Sequence, residues 1–138
     1  MPQPDLYHAP VKRALIKDGW TVTDDPYYIE YKGLRLYADL GAEKPLAAEK
    51  GDSKIVVEIK VFGSASQIIE LEKAVGQYSI YRNIIRKNDP ERELYLAIAD
   101  DIFNDFFQKP AIQDIIAEHE IDLLVFDPVQ EVIVRWIK

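Results

Sequence analysis

Apolar residues recur at two different periods along this chain, and the switches between them outline its elements. Tyr7, Val11, Ala14, Leu15 and Ile16 fall at helical spacing and predict a first helix that ends at Gly19. Pro10 falls in its opening turns, where a missing N–H is tolerated. Asp24-Asp25-Pro26 signals a turn. The runs 27–31 and 34–40 then predict a hairpin joined by Lys32-Gly33. A second strand pairing is predicted between 46–50 and 54–62, across Gly51-Asp52-Ser53.

The run 54–62 carries the most information. Ile55, Val57, Ile59 and Val61 point to one face, while Val56, Glu58, Lys60 and Phe62 point to the other. An acid and an amine thus lie side by side on a partly apolar face. Ser64 and Gln67 have the spacing of a capping box, which opens a long helix with a stripe of Ile68, Leu71, Val75 and Tyr78. That helix runs to Arg86 or Lys87 and is closed by Asn88-Asp89-Pro90. Residues 94–99 read as a buried strand, 101–108 and 111–119 as helices split by Pro110. Residues 121–126 and 131–137 read as two strands around an Asp127-Pro128 turn. This order predicts an α/β (α+β) fold with a central mixed sheet flanked by helices.

The 138 residues suffice for one domain, expected over 1–138, and for one real core. Apolar residues make up 48% and charged residues 30%, which excludes a disordered tail. No apolar run approaches the ~20 residues of a membrane helix, and residues 1–12 lack the apolar core of a signal peptide. With no cysteine, disulfides, thiolate metal sites and cysteine nucleophiles are excluded. These features lead to the expectation of a cytoplasmic protein with no membrane partner. The net charge of −7 argues against a broad basic nucleic-acid footprint. It does not exclude a phosphate substrate, since a bound divalent cation inverts the local sign. Basic residues gather in two groups, Arg82, Arg86, Lys87 and Arg92, and Lys12, Arg13 and Lys17. Each group also reads as a solvated helix face.

Three short signals carry chemistry. Asp39 ends an apolar run and precedes Leu40-Gly41-Ala42, Glu58-Ile59-Lys60 follows on a strand, and Gln77 and Tyr81 share one helix face. A hard cation such as Mg²⁺ or Mn²⁺ takes carboxylate and carbonyl oxygens plus water. Asp39, Glu58 and the Ile59 carbonyl supply those oxygens. Lys60 can stabilise charge on a phosphorane-like transition state or orient the attacking water, and Gln77 can bind a phosphate or a metal-bound water. Taken singly, each signal has a structural explanation: a strand-end aspartate bonding its own turn, a solvent-facing pair, a glutamine at the border of a core stripe. The combination is what points to a metal-dependent phosphodiesterase site. His8 and His119 lack metal-ligand spacing, and 63–66 lacks the end of a P-loop. Tyr27, Tyr28, Tyr31 and Tyr37 form an aromatic group that fits base stacking and strand propensity equally well.

The ordered set Asp18-Gly19-Trp20, Asp24-Asp25-Pro26, Ala38-Asp39-Leu40-Gly41-Ala42-Glu43, Val57-Glu58-Ile59-Lys60, Gly76-Gln77-Tyr78 and Phe126-Asp127-Pro128 closely resembles the XisH family, the fdxN element excision controlling factors. The resemblance spans nearly the whole chain and implies membership of the PD-(D/E)XK, or restriction-endonuclease-like, superfamily. It implies Asp39 and Glu58 as metal ligands, Lys60 as the catalytic lysine and Gln77 beside them, the Gln-x-x-x-Tyr element looking like that of RecB-type nucleases. It also implies a role in programmed excision of a DNA element, alongside an XisI-like companion protein and a site-specific recombinase, with a homodimer as a further expectation. Two positions depart from the superfamily pattern: Ala38 stands where a proline is usual, and the first helix offers Asp5 and His8 in place of an acidic ligand. Two functions follow, a Mg²⁺-dependent endonuclease acting on DNA, or a catalytically silent factor that controls a recombinase through protein contacts.

Overall fold

The computed structural model describes residues 6–45, 52–63 and 66–138. Helix α1 (His8–Lys17) is followed by β1 (Thr21–Asp24), β2 (Tyr27–Tyr31), β3 (Leu34–Ala38), β4 (Leu40–Pro45) and β5 (Asp52–Ile59). Then come α2 (Gln67–Asn88), β6 (Arg92–Ala99), α3 (Asp100–Asn104), a 3-10 turn at Phe106–Gln108, α4 (Pro110–Glu118), β7 (Leu123–Asp127) and β8 (Val132–Ile137). Six strands form one mixed sheet in the order β1-β4-β5-β6-β7-β8. The β5–β6 and β6–β7 pairs are parallel and the others antiparallel. The expected fold class is the observed one.

Strands β6 and β7 are apolar without alternation because the sheet is covered on both faces. On one face, Val56, Leu94, Leu96, Ile98, Leu123 and Val125 meet α2, α4 and the β2–β3 hairpin. On the other, Ile55, Val57, Ile59, Ala97, Leu124 and Phe126 meet α1. Both crossovers, through α2 and through α3–α4, therefore use the same face. Helix α1 covers the other with Val11, Ala14 and Leu15, three apolar residues at i, i+3, i+4 spacing that are fully buried. Its polar side is tied to the β7–β8 turn by Arg13–Glu131 and by Lys17, which donates to the Gln130 carbonyl. Tyr78 fastens α2 to the sheet, its buried hydroxyl donating to the Leu94 carbonyl at 2.8 Å and accepting from the Asp122 N–H at 3.1 Å.

Several sequence expectations need correction. The run 34–40 is two strands: β3 pairs only with β2, as a separate two-stranded sheet, and the chain then turns at Asp39 into β4. The partner of β5 within the sheet is β4, with Leu40 opposite Val57 and Glu43 opposite Lys54. The predicted arm at 46–50 lies outside the described residues. Strand β1 escaped notice because four residues with an exposed–intermediate alternation give almost no periodic signal. Helix α2 is capped by Ser66, whose Oγ accepts from the Ile69 N–H, whereas Ser64 lies outside the described residues. Its buried stripe is Leu71, Ala74, Tyr78, Tyr81, Ile84 and Ile85, while Ile68 is exposed. Pro110 is the first residue of α4, where its missing N–H is harmless. Among the described residues no helix is long and apolar enough to cross a membrane.

Candidate active site at the carboxyl end of β5

Strand β4 begins at Leu40, opposite Val57, so the backbone ladder to β5 stops short of Ile59. The Ile59 N–H would be left on that edge without a strand partner. Instead it donates to Asp39 Oδ2 at 2.7 Å. A hydrogen bond to an ionised acceptor of this kind contributes about 1.5–3 kcal/mol, and here it also orients the carboxylate. The next amide, Lys60, turns to the other edge and donates to the Ala97 carbonyl at 3.1 Å. Because N–H and C=O of one strand residue share an edge, the Ile59 carbonyl leaves β5 on the Asp39 side.

Glu58 alternates with Ile59 and faces α2, the side on which Val56 is buried. At 6% exposure it is the most buried charged residue among those described. Helix α2 brings Gln77 and Tyr81 over it. They are one turn apart, and Gln77 Nε2 donates to the Tyr81 hydroxyl at 3.1 Å. Burial pushes the Tyr81 phenol up, and the charges of Glu58 and Asp39 and the nearby Tyr37 push it the same way against the Gln77 hydrogen bond. Two carboxylates, an amide and a phenol therefore share one electrostatic neighbourhood. Tyr37 joins it from β3, a residue that the sequence offered only as part of an aromatic group; its position two before Asp39 was the available signal.

Lys60 follows immediately after β5 and is half-buried. It borders a cavity of about 130 Å³ together with Tyr7, Phe62, Ala99 and Asp101. Its ammonium forms no ion pair among the described residues. The structure thus gathers Asp39, Glu58, the Ile59 backbone and Gln77, with Lys60 at the border of the adjoining cavity. A larger cavity, about 630 Å³, lies between α3–α4 and β8 and is lined by Phe103, Phe107, Ile116, Arg135 and Ile137. It holds none of the predicted residues. His8, left without a partner by sequence spacing, bonds Asp25 through Nε2 at 2.7 Å, and Lys12 bonds the other oxygen of Asp25 at 2.7 Å.

The donor set suits a hard cation. Among the described residues no three His, Cys, Asp or Glu side chains gather to form a full cage. Mg²⁺ asks for one or two carboxylates and completes its shell with water and substrate phosphate. Asp39 has one oxygen engaged with an N–H and retains its second, and a carboxylate offers about four lone-pair directions in all.

The two basic groups are less available than the sequence implied. Arg92 is consumed by Asp24, Glu43 and Asp89, and Arg82 donates to the carbonyls of His119 and Glu120. Lys12 and Arg13 face Asp25 and Glu131.

A six-stranded mixed sheet covered by helices on both faces, with Asp39 and Glu58 near the end of β5, defines an α/β protein. The chain belongs to the XisH family, whose model, described as XisH protein, matches residues 1–134. Two solved structures resemble it along almost their whole lengths. An XisH family protein from Nostoc punctiforme PCC 73102 is 41% identical, with a TM-score of 0.88, over 97% of this chain and 100% of that one. An fdxN element excision controlling factor protein from Anabaena variabilis is 42% identical, with a TM-score of 0.89, over 98% of this chain and 100% of that one. No curated protein matches the chain.

Proposed function

We propose that this XisH-family chain is a metal-dependent endonuclease of the PD-(D/E)XK, restriction-endonuclease-like type, a single cytoplasmic domain acting on DNA phosphodiesters during excision of a DNA element. One observation carries the reading: Asp39 is hydrogen-bonded to the strand residue next to Glu58, so the two acids meet at one strand end. The name of the Anabaena variabilis relative, an excision controlling factor, supports the biological setting.

Asp39, Glu58 and the Ile59 carbonyl would hold Mg²⁺ or Mn²⁺. When bound, such an ion acts as a Lewis acid on the phosphate and lowers the pKa of a coordinated water. The Ile59 N–H fixes the Asp39 carboxylate, and the side chain of Glu58 is buried on the neighbouring strand position. The Lys60 ammonium stabilises the additional negative charge on the phosphate, and Gln77, held by Tyr81, orients a phosphate oxygen or the water. An XisI-like companion, a site-specific recombinase and a second copy of the chain are the partners this reading expects.

The test is cleavage of supercoiled, linear and single-stranded DNA by the purified chain with Mg²⁺ or Mn²⁺. Wild type should cut, and Glu58→Ala and Lys60→Ala should each lose at least about 100-fold in rate with unchanged circular dichroism. If every DNA form stays intact, alone and with the companion protein, the nuclease reading fails and control through protein contacts replaces it.

A further inference from the structure

Resting on the nuclease reading, we infer that the outer face of the β2–β3 hairpin is a stacking platform for unpaired bases, so that the substrate engaged by this site includes a single-stranded DNA segment. The inner face of the hairpin is turned to the core: Ile29 and Ala38 are buried, and Tyr27, Tyr31 and Leu36 pack against the same core. The outer face carries Tyr28 and Tyr37, direct cross-strand partners with ring centroids 6.5 Å apart and planes inclined at 57°. They are 76% and 49% exposed. Scattered exposed apolar residues are ordinary, but two adjacent aromatic rings that the core does not use offer paired π-faces to a ligand.

Position links them to the carboxylates. Tyr37 lies two residues before Asp39, and its influence reaches Tyr81, the partner of Gln77. A strand stacked on the rings would thus begin two residues from Asp39. Beside the hairpin's core-facing Tyr31, the ammonium groups of Lys32 and Lys87 lie 5.3 and 5.2 Å from the ring centre. On the outer face Arg35 extends from β3 with its side chain 85% exposed, 3.6 Å from the less exposed Glu30.

The choice of unpaired over duplex DNA follows from accessibility and charge. Base faces are hidden inside a duplex and open in a single strand, where any base can stack on tyrosine. A duplex footprint would ask for a broad basic surface, which a chain of net charge −7 with Arg82 and Arg92 engaged by its own carbonyls and acids does not offer.

Fluorescence anisotropy with a short labelled oligothymidylate and a blunt duplex of equal length, both in EDTA and at fixed salt, tests the platform. Wild type should prefer the oligothymidylate. The doubly substituted Tyr28→Ala, Tyr37→Ala chain should bind it roughly tenfold or more weakly, and Tyr28→Trp with Tyr37→Trp should retain binding. Equal affinity for the two DNA forms, or undiminished binding by the double alanine chain, overturns the platform. Adding Mg²⁺ or Mn²⁺ separates the two ideas. Cleavage by wild type with alanine-insensitive binding removes the platform and leaves the nuclease, whereas tyrosine-dependent binding without cleavage removes the nuclease and leaves a single-strand binding surface.

Discussion

Two groups of carboxylates meet the same sheet and are held in opposite ways. At the amino end of β6, Asp24, Glu43 and Asp89 converge on one guanidinium, that of Arg92, at 3.7, 3.4 and 2.9 Å. Its side chain is only 8% exposed, it donates to the Ile55 carbonyl, and it stacks on Tyr27 at 4.9 Å. Tyr27 in turn donates to Asp89, and burial together with the Asp89 charge pushes its phenol up to about 12 despite Arg92. At the carboxyl end of β5, Asp39 is held by a backbone N–H. A carboxylate neutralised by a fixed guanidinium has little attraction left for another cation. One oriented by a peptide dipole keeps its full charge to offer. The first arrangement satisfies its carboxylates with a cation of the fold; the second leaves Asp39 oriented by a backbone N–H alone.

The largest separation between the two should come from Glu58→Gln. The substitution keeps shape and removes charge, so cleavage should fall by about 1,000-fold and Mn²⁺ binding, measured by calorimetry, should disappear. Stability in urea should stay within about 1 kcal/mol of wild type, because an isosteric amide removes the desolvation penalty of a buried carboxylate. A large loss of stability would place Glu58 with the structural group. Arg92→Ala should do the reverse. Leaving acids around a buried gap costs about 3–5 kcal/mol, read as a lower urea midpoint, with metal affinity at the other end preserved. A stable Arg92→Ala chain would erase the distinction.

The sequence made one of these regions legible and concealed the other. Glu58 stood out because it is a lone acid in an otherwise apolar run, which the sequence read as placing it beside Lys60. Asp39 was visible as a strand-end acid, although its bond to Ile59 depends on where β4 begins, which the continuous run 34–40 hid. Arg92 looked like one member of a basic cluster with Arg82, Arg86 and Lys87. Its three acids come from positions 24, 43 and 89, and only the β1–β4–β5–β6 pairing unites the first two with it. Long-range pairing of short strands leaves no periodic trace, so the arginine that organises the fold was indistinguishable from a surface cation.

Gly41 offers a smaller way to probe the arginine end. A Cβ at this position would come within 2.8 Å of Asp24 Oδ2 and 3.0 Å of Tyr27 Cδ2. Both side chains are restrained by Arg92, so Gly41→Ala should cost about 1–3 kcal/mol, as overpacking does. Combined with Arg92→Ala it should cost less than the sum, since the freed Asp24 can swing away. Strict additivity in urea denaturation would show that Arg92 does not hold Asp24 in place.

Asp25 gives the weakest effect and tests whether a cation-held carboxylate must be buried to matter. Burial pushes its carboxyl up, but the Lys12 hydrogen bond and the charges of His8 and Lys12 outweigh this and hold it below the ordinary 3.8. A carboxyl lowered in the folded state contributes stability above its unfolded pKa, and the contribution is lost as pH falls through the folded value. Lys12→Gln should therefore raise the Asp25 pKa toward 3.8, as followed by carboxyl-carbon NMR, with His8 maintaining part of the depression. The accompanying loss of stability at pH 7 should stay below about 1 kcal/mol, because solvent screens a pair this exposed. That difference should fade as pH falls through the folded pKa and Asp25 becomes protonated in both chains. A deficit that persists in acid would mean that Lys12 acts through packing, and an unmoved pKa would mean that the ion pair exerts no hold on the carboxylate at all.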